Sequence, residues 1–149
     1  EALKKGDDSV EEMRKEYNRR RRVLVDGFRK MGLDCFEPLG AFYVFPNIQS
    51  LGMSSDEFCE KLLRQEKVLV VPGNAFGDCG EGFIRACYAS SMENIMEALK
   101  RIERFIRLLK INNYKKELRI IAQFLLTNLL ILWGLEGILL EETPTHIHS

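Results

Sequence analysis

The sequence predicts a two-layer α/β (α+β) sandwich, a small sheet packed by about three helices. Two signals carry the expectation. Three Ser-x-x-Glu runs, at Ser9, Ser54 and Ser90, each head a stretch whose apolar residues recur at helical spacing. Between the helices the period shortens to two, most clearly over Gly82–Tyr88, where Phe83, Arg85 and Cys87 alternate with Ile84, Ala86 and Tyr88. The resulting order is helix, strand, strand, helix, strand, strand, helix, and such elements bury their apolar faces by stacking helices on a sheet.

In the first helix Ser9 is read as N-cap and Glu12 as its capping-box partner, with Val10, Met13, Tyr17, Leu24, Phe28 and Met31 as the buried stripe. Gly32 ends it in the C′ position, and Leu33 folds back as the apolar partner. The Arg19–Arg22 run reads as a solvated helix face, offset by Glu11, Glu12 and Glu16, rather than an anion patch. Leu33–Glu37 and Ala41–Phe45 read as short strands separated by Pro38 and Gly40, the second ending at Pro46. Ser54 caps a second helix with Phe58, Leu62 and Leu63 inward, and Ser90 heads a third with Ile95, Ala98, Leu99, Ile102, Phe105 and Ile106 inward.

Lys67–Ser91 organises the rest. Val68–Val71 form a short strand stopped by Pro72, and Gly73, Gly77, Gly80 and Gly82 mark a turn-rich loop. The loop fits neither phosphate-binding glycine pattern, and Asp78 and Glu81 would repel a phosphate, so it reads as geometry that delivers the next strand. Arg85 is the odd residue, a guanidinium mid-strand among apolar neighbours. It is either a rigid receptor for a carboxylate or phosphate, or half of a structural ion pair.

Composition bounds the function. The chain has 149 residues, enough for one domain with a real core. Its net charge is zero and its pI about 7.0, which gives no electrostatic case for nucleic acid. Cys35, Cys59, Cys79 and Cys87 lack metal or redox spacing and read as reduced thiols of an intracellular, cytoplasmic protein. His146 and His148 are the only histidines and form a weak metal signal, so the body has none for triad chemistry and no metal is expected. Residue 1 is Glu, which suggests a piece of a longer chain whose targeting segment is not visible.

The motifs EPLGAFYVFP, VVPGNAFG and GFIRACYASS, in that order, resemble the C-terminal small domain of class I/II pyridoxal-phosphate-dependent aminotransferases of fold type I. The resemblance covers residues 1–106. It implies that the parent protein moves an amino group from an α-amino acid to a 2-oxo acid, and that Arg85 binds the substrate α-carboxylate. It places the GAFY stretch near the substrate cleft, so that Gly40, Phe42, Tyr43 and Asn47 are possible cleft-lining residues; read alone, Phe42 and Tyr43 serve equally as sheet core. Backbone amides near Gly40 or Asn47 could assist. It further implies pyridoxal 5′-phosphate and a homodimer for the full-length parent. The Schiff-base lysine, the pyridine-nitrogen partner and the phosphate cradle would come from a large domain upstream, so this fragment is expected to hold no cofactor and to be inactive alone. No lysine here has the surroundings of the family's aldimine lysine.

Residues 107–149 carry no family resemblance. Ile111–Arg119 is polar and basic, and Ile120–Leu135 is apolar and helix-like, short of the roughly 20 residues that a membrane span prefers. The segment reads as an extra helix on the core, a marginal membrane segment or a non-native end; the last is preferred, and no membrane partner is expected. Two further readings of the whole remain beside the enzyme fragment: an amino-acid-binding regulatory α/β module without catalysis, and an interaction or membrane-tethered protein defined by its tail.

Overall fold

The computed structural model describes residues 6–132. Its elements are α1 (Asp7–Lys30), β1 (Tyr43–Val44), α2 (Ser55–Glu66), β2 (Val71–Pro72), β3 (Ile84–Cys87) and α3 (Met92–Leu132). The strands form one antiparallel sheet in the order β1-β3-β2. Its register pairs Tyr43 with Cys87, Val44 with Ala86, Val71 with Arg85 and Pro72 with Ile84. Pro72 is tolerated because β2 is an edge strand.

One face of the sheet is core. Val44, Ile84, Ala86 and Tyr88 are buried with Leu24, Val25 and Phe28 of α1, Phe58 and Leu62 of α2, and Ile95, Ile102 and Phe105 of α3. Phe58 and Phe105 meet edge to face at 5.3 Å, and both are fully buried. The predicted two-layer sandwich is therefore the observed one, with the alternation of β3 sorting Ile84, Ala86 and Tyr88 inward and Arg85 outward. The strands are shorter than the sequence suggests. Ala41 has φ 58° and Gly82 has φ 83°, so the chain turns before pairing begins, and of Leu33–Glu37 only Cys35 makes a bridge, to Pro46.

The helix ends correct two expectations, at Ser9 and Ser90, and bear out two, at Ser54 and Gly32. α1 starts at Asp7 with Gly6 as N-cap, so Ser9 lies inside its first turn and caps nothing; Asp7 and Asp8 supply the negative charge favoured there. Ser54 does cap α2, accepting from Glu57 N–H at 3.2 Å. At α3 the capping hydroxyl is that of Ser91, accepting from Asn94 N–H, one residue later than Ser90. Gly32 behaves as predicted: with φ 81° it lets its own N–H reach the Arg29 carbonyl and the Leu33 N–H reach that of Phe28. Two stripes also differ. Val10 and Met13 are exposed, as is Leu63, whose place on α2 is taken by Cys59 and Glu66.

Glu66 is 7% exposed and receives a forked hydrogen bond from Arg104, one arm of 3.0 Å from Nε, which ties the end of α2 to α3. The Arg104 bond holds the Glu66 carboxyl below the usual carboxylate range. A carboxyl with a lowered folded-state pKa stabilises the fold above its unfolded value, about 4.3, and that contribution is lost as pH falls through the folded value. Glu66→Gln should therefore lower the melting temperature at pH 7, and the gap from wild type should close below about pH 4. A gap that persists at low pH would assign the effect to packing.

The chain divides into two compact units, Glu1–Lys110 and Ile111–Ser149. The helix itself does not break at residue 107; no glycine or proline interrupts the sequence up to Leu132. In its second-unit portion Leu118, Ile121, Phe124 and Leu125 are exposed. Among the described residues no helix is long and apolar enough to cross a membrane. His146, His148 and the end of the predicted apolar segment lie outside the described residues.

Candidate functional site

The outward face of β3 holds the candidate site. Arg85 projects there, opposite Val71, and its guanidinium carbon lies 4.3 Å from the Tyr43 ring centroid and 4.4 Å from that of Phe76. Among the described residues the guanidinium has no hydrogen bond and no ion pair. The structural-ion-pair alternative thus has no partner here. Two aromatic faces hold the cation while its five N–H donors stay unspent, an arrangement suited to a planar two-oxygen anion.

Phe76 was not singled out by the sequence, because its role depends on how the loop folds. Gly73–Phe76 and Asp78–Gly80 are two short 3-10 turns packed backbone to backbone. A Cβ at Gly73 would sit 2.2 Å from the Gly80 carbonyl oxygen, and one at Gly80 would sit 2.1 Å from that of Gly73. The Gly73 N–H also donates to the Phe83 carbonyl at 2.8 Å, pinning the first turn to the strand that carries Arg85. The loop delivers Phe76 as well as Arg85.

The same loop excludes a phosphate cradle. Glu81 accepts from the Ser55 N–H at 2.9 Å, so a carboxylate of the chain already occupies the start of α2, and Asn74 is bound to Asp56. Gly73 and Gly80 are packed against each other rather than open to a ligand.

The other candidates divide. Tyr43 joins Arg85 directly, and Phe42 contacts Tyr43 at 5.0 Å and Tyr17 of α1 at 6.0 Å. Gly40 is exposed and lines a separate cavity with Arg14, Tyr17, Asn18 and Arg21. The Asn47 side-chain oxygen accepts from Gln49 N–H, and its backbone N–H donates to the Asp34 carbonyl at 2.7 Å, so that amide is not available to a ligand. The Arg19–Arg22 run is not uniformly solvated. Arg21 turns inward and binds Asn18, Glu37 and the Pro38 carbonyl, tying α1 to the loop that precedes β1.

The family model for aminotransferase class I and II matches residues 1–102. YugH of Bacillus subtilis, an aminotransferase by name, is 55% identical over 106 residues, 71% of this chain and 28% of that protein. An aspartate aminotransferase of Pyrococcus horikoshii is 54% identical over 97 residues, 64% of this chain and 25% of the relative. Among solved structures, an aromatic aminotransferase from Pyrococcus horikoshii matches with a TM-score of 0.68 and 47% identity, over 69% of this chain and 28% of that one. The chain thus spans about a quarter of the length of these relatives.

Proposed function

This chain belongs to the class I and II aminotransferases, which are pyridoxal-phosphate enzymes, and from that membership we propose that residues 1–106 are the C-terminal small domain of a transaminase moving an amino group between an α-amino acid and a 2-oxo acid. In this reading the chain is part of a longer, homodimeric enzyme, and Arg85 receives the α-carboxylate of both substrates. The observation that carries it is the outward guanidinium of Arg85, held by Tyr43 and Phe76 with no acid of the described chain against it. The share of each relative that the chain spans supports the fragment reading.

The described residues do not themselves fit the cofactor. It needs an amine for its Schiff base, an acid for its ring nitrogen and a cradle for its phosphate. Lys61 is paired with Glu57, Lys67 donates to the Arg64 carbonyl and Lys110 to the Met31 carbonyl; Lys15, Lys30, Lys100, Lys115 and Lys116 stand exposed on helix faces, and the start of α2 is filled by Glu81. No catalytic step is therefore assigned to this segment. Its part is to bind and orient: two N–H groups of Arg85 fix the carboxylate plane, and with it the direction of the bond to the α-carbon.

A chimera tests the proposal. The matching segment of the Pyrococcus horikoshii aspartate aminotransferase would be replaced by the corresponding residues of this chain. The expected result is a folded enzyme that still transaminates amino acids. A folded chimera that binds the cofactor and a 2-oxo acid yet does not turn over would favour the regulatory-module reading instead.

A further inference from the structure

We propose that Phe76 and Tyr43 are positioning residues that clamp Arg85, setting its N–H edge toward the incoming carboxylate; the inference rests on the reading of Arg85 as carboxylate receptor. An arginine can be held by an acid, by carbonyl oxygens or by aromatic faces. The first two use up N–H donors, and an acid also cancels the charge. Aromatic faces do neither, because the attraction is to the ring quadrupole. The sheet register places Val71 opposite Arg85, so no cross-strand acid competes.

Both rings are braced from behind. Phe76 meets Phe45 edge to face at 5.8 Å, and Tyr43 rests on Phe42, which in turn contacts Tyr17. The Gly73–Gly80 contact fixes the turn that carries Phe76. The clamp also accounts for apolar surface left in water: Phe76 is 51% exposed, Phe42 40% and Phe45 39%, although the core lies on the other side of the sheet. These rings do little for folding there, and Phe76 and Tyr43 each meet the Arg85 cation.

The test uses the full 149-residue chain, labelled at arginine, with 3-phenylpropanoate as a monocarboxylate probe. In the wild type the Arg85 Cδ protons should be shifted upfield by the two ring currents, and the Nε–H should report an ordered side chain. Phe76→Leu keeps an apolar side chain and removes the π face. It should abolish part of the upfield shift and weaken probe binding by roughly twofold to thirtyfold, the range of a single cation–π contact. Phe76→Tyr should restore both, which a purely structural role for the ring would not require. Should Phe76→Leu fail to fold, Tyr43→Leu offers the same comparison from the other ring. Wild-type shift, order and affinity in a folded Leu variant would overturn the clamp. If the ring-current signature is present but Arg85→Ala binds the probe as well as wild type does, the carboxylate reading fails and the clamp stands.

Discussion

In an aminotransferase carrying this segment, Arg85→Ala is expected to lower kcat/KM for an amino acid by roughly thirtyfold to several thousandfold. The range follows from the cost of removing one partner of a desolvated, hydrogen-bonded charge pair, about 2–5 kcal/mol, at about 1.4 kcal/mol per tenfold. The strand fixes the Cα of Arg85, and the rings of Tyr43 and Phe76 restrict where its guanidinium lies. No other arginine or lysine contacts those two rings among the described residues, so no neighbour stands ready to substitute. Arg85→Lys should recover little, because an ammonium keeps the charge but loses the two-pronged geometry. A lysine variant with wild-type kcat/KM would show that a point charge suffices and that the planar fork is not used.

Gly73→Ala is expected to be severely destabilising although it adds a single methyl group. The new Cβ would lie 2.2 Å from the Gly80 carbonyl oxygen and 2.8 Å from that of Phe83, both backbone atoms that cannot rotate away. Overpacking against movable side chains costs about 1–3 kcal/mol, and backbone collision lies at or beyond the top of that range. A loss of about 3 kcal/mol corresponds to roughly 10 °C in melting temperature for a domain of this size. The turn should also release Phe76 from Arg85, so the substrate affinity of any surviving folded enzyme should fall. Gly52→Ala is the control. Its φ of 68° strains a side chain, but nothing lies within 4 Å of the new atom, so only about 1–2 kcal/mol should be lost. Equal melting temperatures for the two variants would mean that the paired turns are not closely packed.

Much of the architecture was legible because it rests on local rules. The β3 alternation separated Ile84, Ala86 and Tyr88 from Arg85, and Gly32 marked the end of α1. Capping was legible only in kind. A serine three residues ahead of a glutamate occurs both at Ser54, where it caps, and at Ser9, where two preceding aspartates let the helix start earlier. Ser90 and Ser91 offer adjacent hydroxyls, and geometry rather than pattern selects the second. Arg85 stood out as a charge in an apolar strand. Phe76 did not, because an aromatic residue in a glycine-rich loop carries no periodic signal, and its position depends on two turns packing across seven residues of chain. Arg21 was hidden within a run of four arginines, and only the fold shows that it alone turns toward Glu37. The stretch after residue 107 reads as a change of composition, yet a helix continues wherever no breaker interrupts it, so composition and secondary structure part company there.

The central claim is that Arg85 recognises a carboxylate, and the most direct measurement is a comparison of two substrates in one enzyme. An amino acid and the amine that differs from it only by lacking the carboxylate would be assayed with wild-type enzyme and with Arg85→Ala. The prediction is a large drop in kcat/KM for the amino acid and almost none for the amine, whose rate is already low without the missing contact. An equal fall for both substrates would make Arg85 a support of the fold, and no fall for either would contradict its assignment to substrate binding altogether.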